Sequence, residues 1–330
     1  MSAVQINVMR DQRRLKQPFV IARGAMETTE LVVVELTDGD HTGRGEAAPN
    51  ARFGQSVDSA VQQLEDVRPH VEKGISREEL LDLLPPCSAR NALDCALWDL
   101  QAKKSGRTVW QIAGLDEPTG PLTGDVTVSL GAPEWMAREA KRFSAFDLIK
   151  VKLNRHNVRA RMEAVKRGAP DSRFIVDVNE DWTLEGLKKY APMLKDLGVE
   201  MIEQPLKRGE DQRLLEYNAP IPLGADESCC DRADLDYLQG RYDFINIKLD
   251  KTGGLTEALH LAREAKTRGF GLMTGCMVST SLSMAPGFVV ASLCTYRDLD
   301  GASMLKQDRT PSLRLEDGLI YPFSTKLWGG

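Results

Sequence analysis

The sequence predicts an α/β barrel, a modified (β/α)8 of the (β/α)7β type, carrying an α+β capping domain at its N-terminal end. Three observations predict it. Short apolar runs end in polar residues at Lys150-Val151-Lys152, Asp177-Val178-Asn179, Glu203-Gln204-Pro205, Asp226-Glu227 and Asn246-Ile247-Lys248. From Lys152 to Asp177, Glu203, Asp226 and Lys248 the steps are 22 to 26 residues, about one strand, loop and helix each, and parallel strands need such crossovers. The 330-residue length exceeds a barrel of about 200 to 250 residues and leaves roughly 100 for a second domain.

Composition narrows the function. With 42% hydrophobic and 28% charged residues and a net charge of -5, the chain has no basic footprint for nucleic acid. Residues 1–19 carry Arg10, Asp11, Arg13, Arg14 and Lys16 and no apolar core of a signal peptide, and no apolar run reaches membrane-spanning length. A cytoplasmic protein is expected, with no membrane partner. The six cysteines form no CxxC pair and no zinc spacing, so they are read as buried reduced thiols. None of the four histidines ends a strand-like run, which argues against a His-rich metal centre.

In chain order, residues 4–10 and 31–36 and the stretch from Thr42 to Ala48 read as an antiparallel meander with a turn at residues 38–40. Residues 16–26 and 49–56 are expected as loops over the barrel mouth. From Val57 the period becomes helical through Val61, Leu64 and Val67, then Leu80 to Leu84, up to Pro85-Pro86. A helix over 88–105 follows, with Ala89, Ala92, Leu93 and Ala96 on a face small enough for close packing and Gly106 as its cap. Asp94 and Asp99 in it are assigned structural roles, bonded to neighbouring backbone or to Arg90. The segment 114–124, with Pro118, Gly120 and Pro121, marks the domain boundary. The expected division is 1–120 for the cap, completed by about 312–330, and 121–311 for the barrel. Its strands are expected at 125–130, 148–153, the runs above, 271–274 and near 293–297, with little room for a helix after the last.

Strand ends in a barrel converge on one mouth, so Asp177, Glu203 and Asp226 can bring three hard oxygens together, a donor set that suits Mg²⁺. Lys150 and Lys152 share a face because strand side chains alternate, and Lys248 comes from the opposite side of the circle. Two amines then flank a substrate. A lysine base works near neutral pH only if its pKa falls, and burial, a neighbouring ammonium and Mg²⁺ all push that way. Metal and opposed lysines point to removal of a proton α to a carboxylate, with return from the other face inverting the centre.

These residues resemble the enolase superfamily, in its muconate-lactonizing-enzyme-like subgroup, a superfamily known for Lys or His bases with Mg²⁺. The resemblance is carried by Lys150-x-Lys152, the ligands Asp177, Glu203 and Asp226, and Lys248. Within the subgroup the chain is most similar to dipeptide epimerases acting on L-Ala-D/L-Glu, through residues 19–24, 246–254, 275–277 and 298–301. The resemblance implies Lys152 and Lys248 as the two acid/base catalysts with Lys150 beside them, and Asp298 and Asp300 as the site for a dipeptide's α-ammonium group. It puts Cys276 beside the substrate and implies a role in murein-peptide recycling. Arg23 is the candidate for a glutamate side chain, ahead of Arg52, and Ser279 is a candidate pocket residue. Asn179 and Glu227 are read as supports of the ligands. The partner is thus a small dipeptide, with the number of subunits, including a homo-oligomer, left open.

Rival readings remain at this point. An o-succinylbenzoate synthase or muconate cycloisomerase uses the same lysines and metal but needs no acidic pair for an ammonium group. A Schiff-base aldolase-type lyase leaves the clustered carboxylates unexplained. A metal-stabilised scaffold without activity leaves every charged mouth position without a purpose.

Overall fold

The computed structural model describes residues 4–330. It opens with a meander of β1 (Gln5–Ile21), β2 (Gly24–Asp38) and β3 (His41–Ala47), paired in that order. The expected turn is there: Asp38 pairs with His41 across two residues. The expected loop at 16–26 is not. Its residues extend β1 and β2 into one long hairpin, where Phe19 pairs with Met26 and Ile21 with Gly24, turning at Ala22 and Arg23. No period-two alternation marks this tip because it leaves the core of its own domain. It stands over the barrel instead, tied by the Leu130 amide to the Val20 carbonyl at 2.9 Å.

Helices α1 (Val57–Glu72), α2 (Arg77–Leu83) and α3 (Ser88–Ser105) cover the meander, and α3 ends on Gly106 in the left-handed region at φ 62°. The small face of α3 lies on β3. A Cβ at Gly43 would sit 2.3 Å from the Ala96 carbonyl oxygen, and one at Gly45 2.1 Å from that of Ala92, so only glycine permits this approach. Asp94 and Asp99 are buried and structural, yet neither pairs with Arg90. Asp94 accepts from the Thr256 amide at 2.9 Å and hydroxyl at 2.6 Å, and Asp99 from the Arg44 and Gly329 amides, both at 2.8 Å. Arg90 donates to the Gly253 and Thr252 carbonyls. These bonds lock α3 to the second domain as well as to its own sheet.

After α4 (Val109–Ala113) and the short β4 (Leu122–Thr123), eight parallel strands form the barrel sheet. They are β5 (Asp125–Val128), β6 (Leu148–Lys152), β7 (Arg173–Asp177), β8 (Val199–Glu203), β9 (Leu223–Ala225), β10 (Phe244–Ile247), β11 (Gly271–Thr274) and β12 (Tyr296–Arg297), hydrogen-bonded in sequence order. Helices α5 (Pro133–Arg142), α6 (Val158–Gly168), α7 (Leu184–Asp196), α8 (Leu235–Leu238), α9 (Leu249–Thr252), α10 (Leu255–Thr267) and α11 (Ser281–Ala291) make the crossovers, except that β8 reaches β9 through a 3-10 turn, Asp211–Glu216. The last strand is followed by one 3-10 turn, Gly301–Met304, in place of a helix. The sheet edges meet where the Thr127 amide donates to Asp300 at 2.7 Å and Arg297 reaches the Thr123 carbonyl.

The register positions the site. Lys152 pairs with Asp177 and Asp177 with Glu203, so adjacent strands end level. Beyond the barrel, β13 (Leu315–Glu316) and β14 (Leu319–Ile320) pair with β4, and the tail then reaches the first domain, where buried Trp328 donates to the Cys95 carbonyl at 3.0 Å. Cys87, Cys95, Cys229 and Cys294 are buried, whereas Cys230 and Cys276 are partly exposed. No helix of the described residues is long and apolar enough to cross a membrane.

Candidate active site

Asp177 closes β7, Glu203 closes β8 and Asp226 follows β9, and all three are buried. Their ligand oxygens lie within 4.8 Å of one another, the one such group among the described residues. The backbone is bent to make this cluster. Asn179, Glu180 and Gln204 adopt left-handed φ values of 46°, 69° and 38°, which side chains other than glycine take at a cost of order 1 kcal/mol or more each. The Asn179 amide donates to Asp177 at 2.9 Å and its side chain to Asp177 and Glu227, at 3.2 and 3.3 Å. Asn246 donates to Glu203 at 2.7 Å.

The donor set fits a divalent cation. Glu203 Oε2 and Asp226 Oδ1 are buried, and the cations nearest them are the Lys150 and Lys251 ammonium groups, each at 2.7 Å. Burial, and then repulsion from Asp177, push the Glu203 carboxyl up to about 7. Burial also opposes charge on Asp177, but Lys152 and Lys150 hold it down at about 2. Three oxygens confined this closely favour a small hard cation such as Mg²⁺ at their centre, with Asp177, Glu203 and Asp226 as the residues that would hold it.

Lys152 Nζ lies 2.5 Å from Asp177 Oδ2 and Lys248 Nζ 2.6 Å from Asp226 Oδ2. Their strands are four apart in the eight-strand order, so the amines approach the trio from opposite sides. Lys150 is deeper, fully buried and paired with Asp298 and Glu203 at 2.7 Å. The expected fall in lysine pKa is reversed for two of them. Burial does lower Lys150 and Lys248, and Lys150 lowers Lys248 further, but the surrounding carboxylates outweigh both effects and raise the two ammonium groups above the ordinary lysine value.

Above the trio is a cavity of about 660 Å³ lined by Lys152, Lys248, Asp226, Asp298, Asp300 and Cys276, with Phe19, Arg23 and Arg52 from the first domain. That volume suits a small ligand. Asp298 is buried, which opposes its charge, but Lys150 and Lys152 keep it below the ordinary range. Burial and the Asp298 charge instead push Asp300 up to about 7. Arg23 and Arg52 meet Glu180 and Glu227 at the rim. Ser279 lies elsewhere: it does not line this cavity, and its hydroxyl donates to the Met277 carbonyl at 3.2 Å. Its backbone follows a turn that aims Met277 and Val278 into the cavity instead. Cys276 does line the wall, with burial and Asp298 raising its thiol well above the usual value, so it faces the cavity as a neutral surface.

Several residues that act on this site were not among those the sequence singled out. Gln204 accepts the Asp226 and Ser228 amides at 2.9 and 3.1 Å and donates to Tyr242 and the Leu206 carbonyl, bracing the ends of two ligand strands. Lys251 donates to the Asp226 and Asn246 carbonyls at 2.5 and 2.8 Å. Asp125, wholly buried on β5, is raised well above the carboxylate range by burial and by Asp298 and Asp300. For Asn246 a signal existed: it precedes Lys248 by two residues and therefore shares its face.

Family models match most of the chain. Residues 3–114 match the mandelate racemase / muconate lactonizing enzyme N-terminal domain, and residues 135–325 the enolase C-terminal domain-like family. The chain is 43% identical over 318 residues to an L-Ala-D/L-Glu epimerase of Escherichia coli, spanning 96% of this chain and 99% of that protein. It is 43% identical over 304 residues to an N-acetyl-D-glutamate racemase of Pseudoalteromonas, spanning 91% and 95%. Among solved structures, an enolase family member of Agrobacterium tumefaciens with homology to dipeptide epimerases, bound to sodium and L-Ala-L-Glu, superposes with a TM-score of 0.96 at 40% identity over 99% of this chain and 100% of that one. A dipeptide epimerase of Enterococcus faecalis complexed with Mg and L-Leu-L-Tyr superposes at 0.90 and 27% identity, covering 98% of each chain.

Proposed function

We infer the function of this chain from its family and its mouth together: it belongs to the enolase superfamily, and it is an isomerase that epimerises dipeptides. The substrate is L-Ala-D/L-Glu, and the centre inverted is the α-carbon of the C-terminal residue. The observation that carries this reading is the approach of Lys152 and Lys248 to the carboxylate trio from opposite sides, each within 2.6 Å of a different ligand residue. Two amines facing across one point are what a two-base proton transfer requires.

The cofactor is Mg²⁺: Asp177, Glu203 and Asp226 would hold it, and it would supply a Lewis acid for the substrate α-carboxylate. The chain's own residues do the rest. The carboxylates that raise Lys248 are those that would hold Mg²⁺, whose charge would offset them. One of Lys152 and Lys248 removes the α-proton, the other delivers a proton to the opposite face, and the roles exchange for the reverse direction. Lys150, buried and cationic beside Glu203 and Asp298, keeps positive charge under the reacting carboxylate. Asp298 and Asp300 receive the dipeptide's ammonium group, and Arg23 its side-chain carboxylate. Asn179 and Glu227 brace the ligands and the rim. A cytoplasmic place in murein-peptide recycling belongs to the same reading and rests on the resemblance alone.

The N-acetyl-D-glutamate racemase likeness supplies a second reading, with the same proton chemistry on a substrate that lacks the ammonium group. The carboxyls of Asp298 and Asp300 on the cavity wall favour the dipeptide. Proton NMR in D₂O with Mg²⁺, on L-Ala-L-Glu and on N-acetylglutamate separately, decides between them. Loss of the glutamyl α-proton with growth of the L,D diastereomer is the expected result for the dipeptide. Exchange on N-acetylglutamate alone would transfer the chain to the second reading, and exchange on neither would remove both.

A further inference from the structure

The rim of the cavity already contains an anion bound to the arginine that is expected to meet the substrate. Arg23 Nη1 lies 2.7 Å from Glu227 Oε1 and 3.1 Å from Glu180 Oε2, and donates to the Asn179 carbonyl at 3.0 Å. Glu180 is gripped a second time: Arg52 donates to both of its oxygens, at 2.6 and 2.5 Å, and the Arg208 amide donates to it at 2.8 Å. Its side chain is 6% exposed, against 34% for Arg23 and 30% for Arg52. One carboxylate almost out of water is thus shared by an arginine from the hairpin tip and another from the following loop.

We propose that Glu180 is a specificity-determining residue: of the two carboxylates resident on Arg23 it is the more distant, and the one that Arg23 exchanges for the side-chain carboxylate of the substrate while Arg52 retains it. This rests on the proposed function and adds to it the group that limits how strongly an acidic side chain is preferred. Separating a poorly solvated ion pair is unfavourable unless each charge finds a new partner. A substrate carboxylate gives Arg23 that partner, and the two-point grip of Arg52 already compensates Glu180. A neutral side chain does not compete for Arg23 and leaves the pair as it is, so the exchange weakens the binding of acidic side chains alone.

The test compares wild type and Glu180→Gln, both with Mg²⁺ and at fixed ionic strength, on L-Ala-L-Glu, L-Ala-L-Gln, N-acetylglutamate and N-acetylglutamine, following α-proton exchange by NMR. With the Glu180 charge gone and Glu227 left as the one carboxylate on Arg23, KM for the acidic substrates should fall about 2- to 5-fold, the range of a partly exposed ion pair, with kcat within about twofold. KM for the amides should not change, so the acid-to-amide ratio widens. A purely structural role would raise both KM values together, and an unchanged or narrowed ratio overturns the proposal. A wild-type preference for neutral side chains overturns it as well. Should Glu180→Gln not fold, Glu180→Asp, which keeps the charge but withdraws it from Arg23, must widen the ratio by a smaller factor. If the wild type turns over none of the four, the proposed function fails instead, and calorimetric binding of the same compounds decides the exchange by the same ratio.

Discussion

Replacing Asp298 by asparagine separates the two readings of the substrate. Asp298 is buried, is held ionised by Lys150 at 2.7 Å, and lines the cavity beside Asp300. An ammonium group docked against it forms an ion pair shielded from water, and removing one partner of such a pair costs about 2 to 5 kcal/mol. At 1.4 kcal/mol per factor of ten, kcat/KM for L-Ala-L-Glu should fall roughly 30-fold to a few thousand-fold. Lys150 keeps Glu203 at 2.7 Å and Asp177 at 3.4 Å, so the variant does not strand a buried ammonium. N-acetylglutamate has no charge at that end and serves as the internal control. The assay is α-proton exchange in D₂O on both compounds, with circular dichroism to establish the fold. Equal losses on the two substrates would refute the ammonium site and leave Asp298 as a partner of Lys150 only; no loss on the dipeptide would refute it outright.

Further expectations follow from the same geometry. Lys152→Ala and Lys248→Ala should each lower epimerisation by at least about 10²- to 10⁴-fold while leaving the thermal melt near wild type, and normal activity in either would end the two-base mechanism. Treatment with EDTA should abolish exchange and added Mg²⁺ restore it; activity that survives EDTA, with borohydride trapping of a lysine adduct, would revive the aldolase reading. Gly45→Ala should lower stability by about 1 to 3 kcal/mol or more, since its Cβ would meet the Ala92 carbonyl at 2.1 Å, and an unchanged melting temperature would refute that packing. Asp250 has a pH-dependent signature. Burial, only partly offset by the Ala48 amide and Asn91, raises it from 3.8 to about 7, so its contribution is complete below pH 4 and is lost as pH rises to 7. Urea unfolding of wild type against Asp250→Asn should show their stability difference drifting toward the variant across that window, by at most about 4 kcal/mol; a constant difference would contradict the assignment.

The barrel was legible because its strands β6 to β10 announce themselves twice, by apolar runs and by the charge that ends or follows each one. Lys152, Asp177 and Glu203 stand in level register, and their spacing alone brings them together. The hairpin tip was not legible. From Lys16 to Met26 its strands are held by backbone pairing and by the barrel below, so they lack the alternation that a strand over its own core must have. The apolar-run signal also fails at β12, only two residues long, although charge follows it at Asp298. Gln204, Lys251 and Asp125 escaped for another reason. Each works through partners on other strands, as when Gln204 accepts the Asp226 amide 22 residues away, and no local pattern encodes that meeting. Ser279 was the opposite case, a polar residue in a polar run whose hydroxyl is spent on its own turn.

The long hairpin divides heredity within the molecule. Every group assigned to moving a proton arises from the ends of barrel strands, whereas Phe19, Arg23 and Arg52 descend from the first domain and enter the cavity from above. Between the two, Asp94, Arg90 and Asp250 fasten the domains at buried points away from the hairpin tip. A mutation at the tip can therefore alter which molecule is accepted while the machinery that acts on it is inherited unchanged. Diversity of substrate on a constant reaction is the expected history of a chain built in this way.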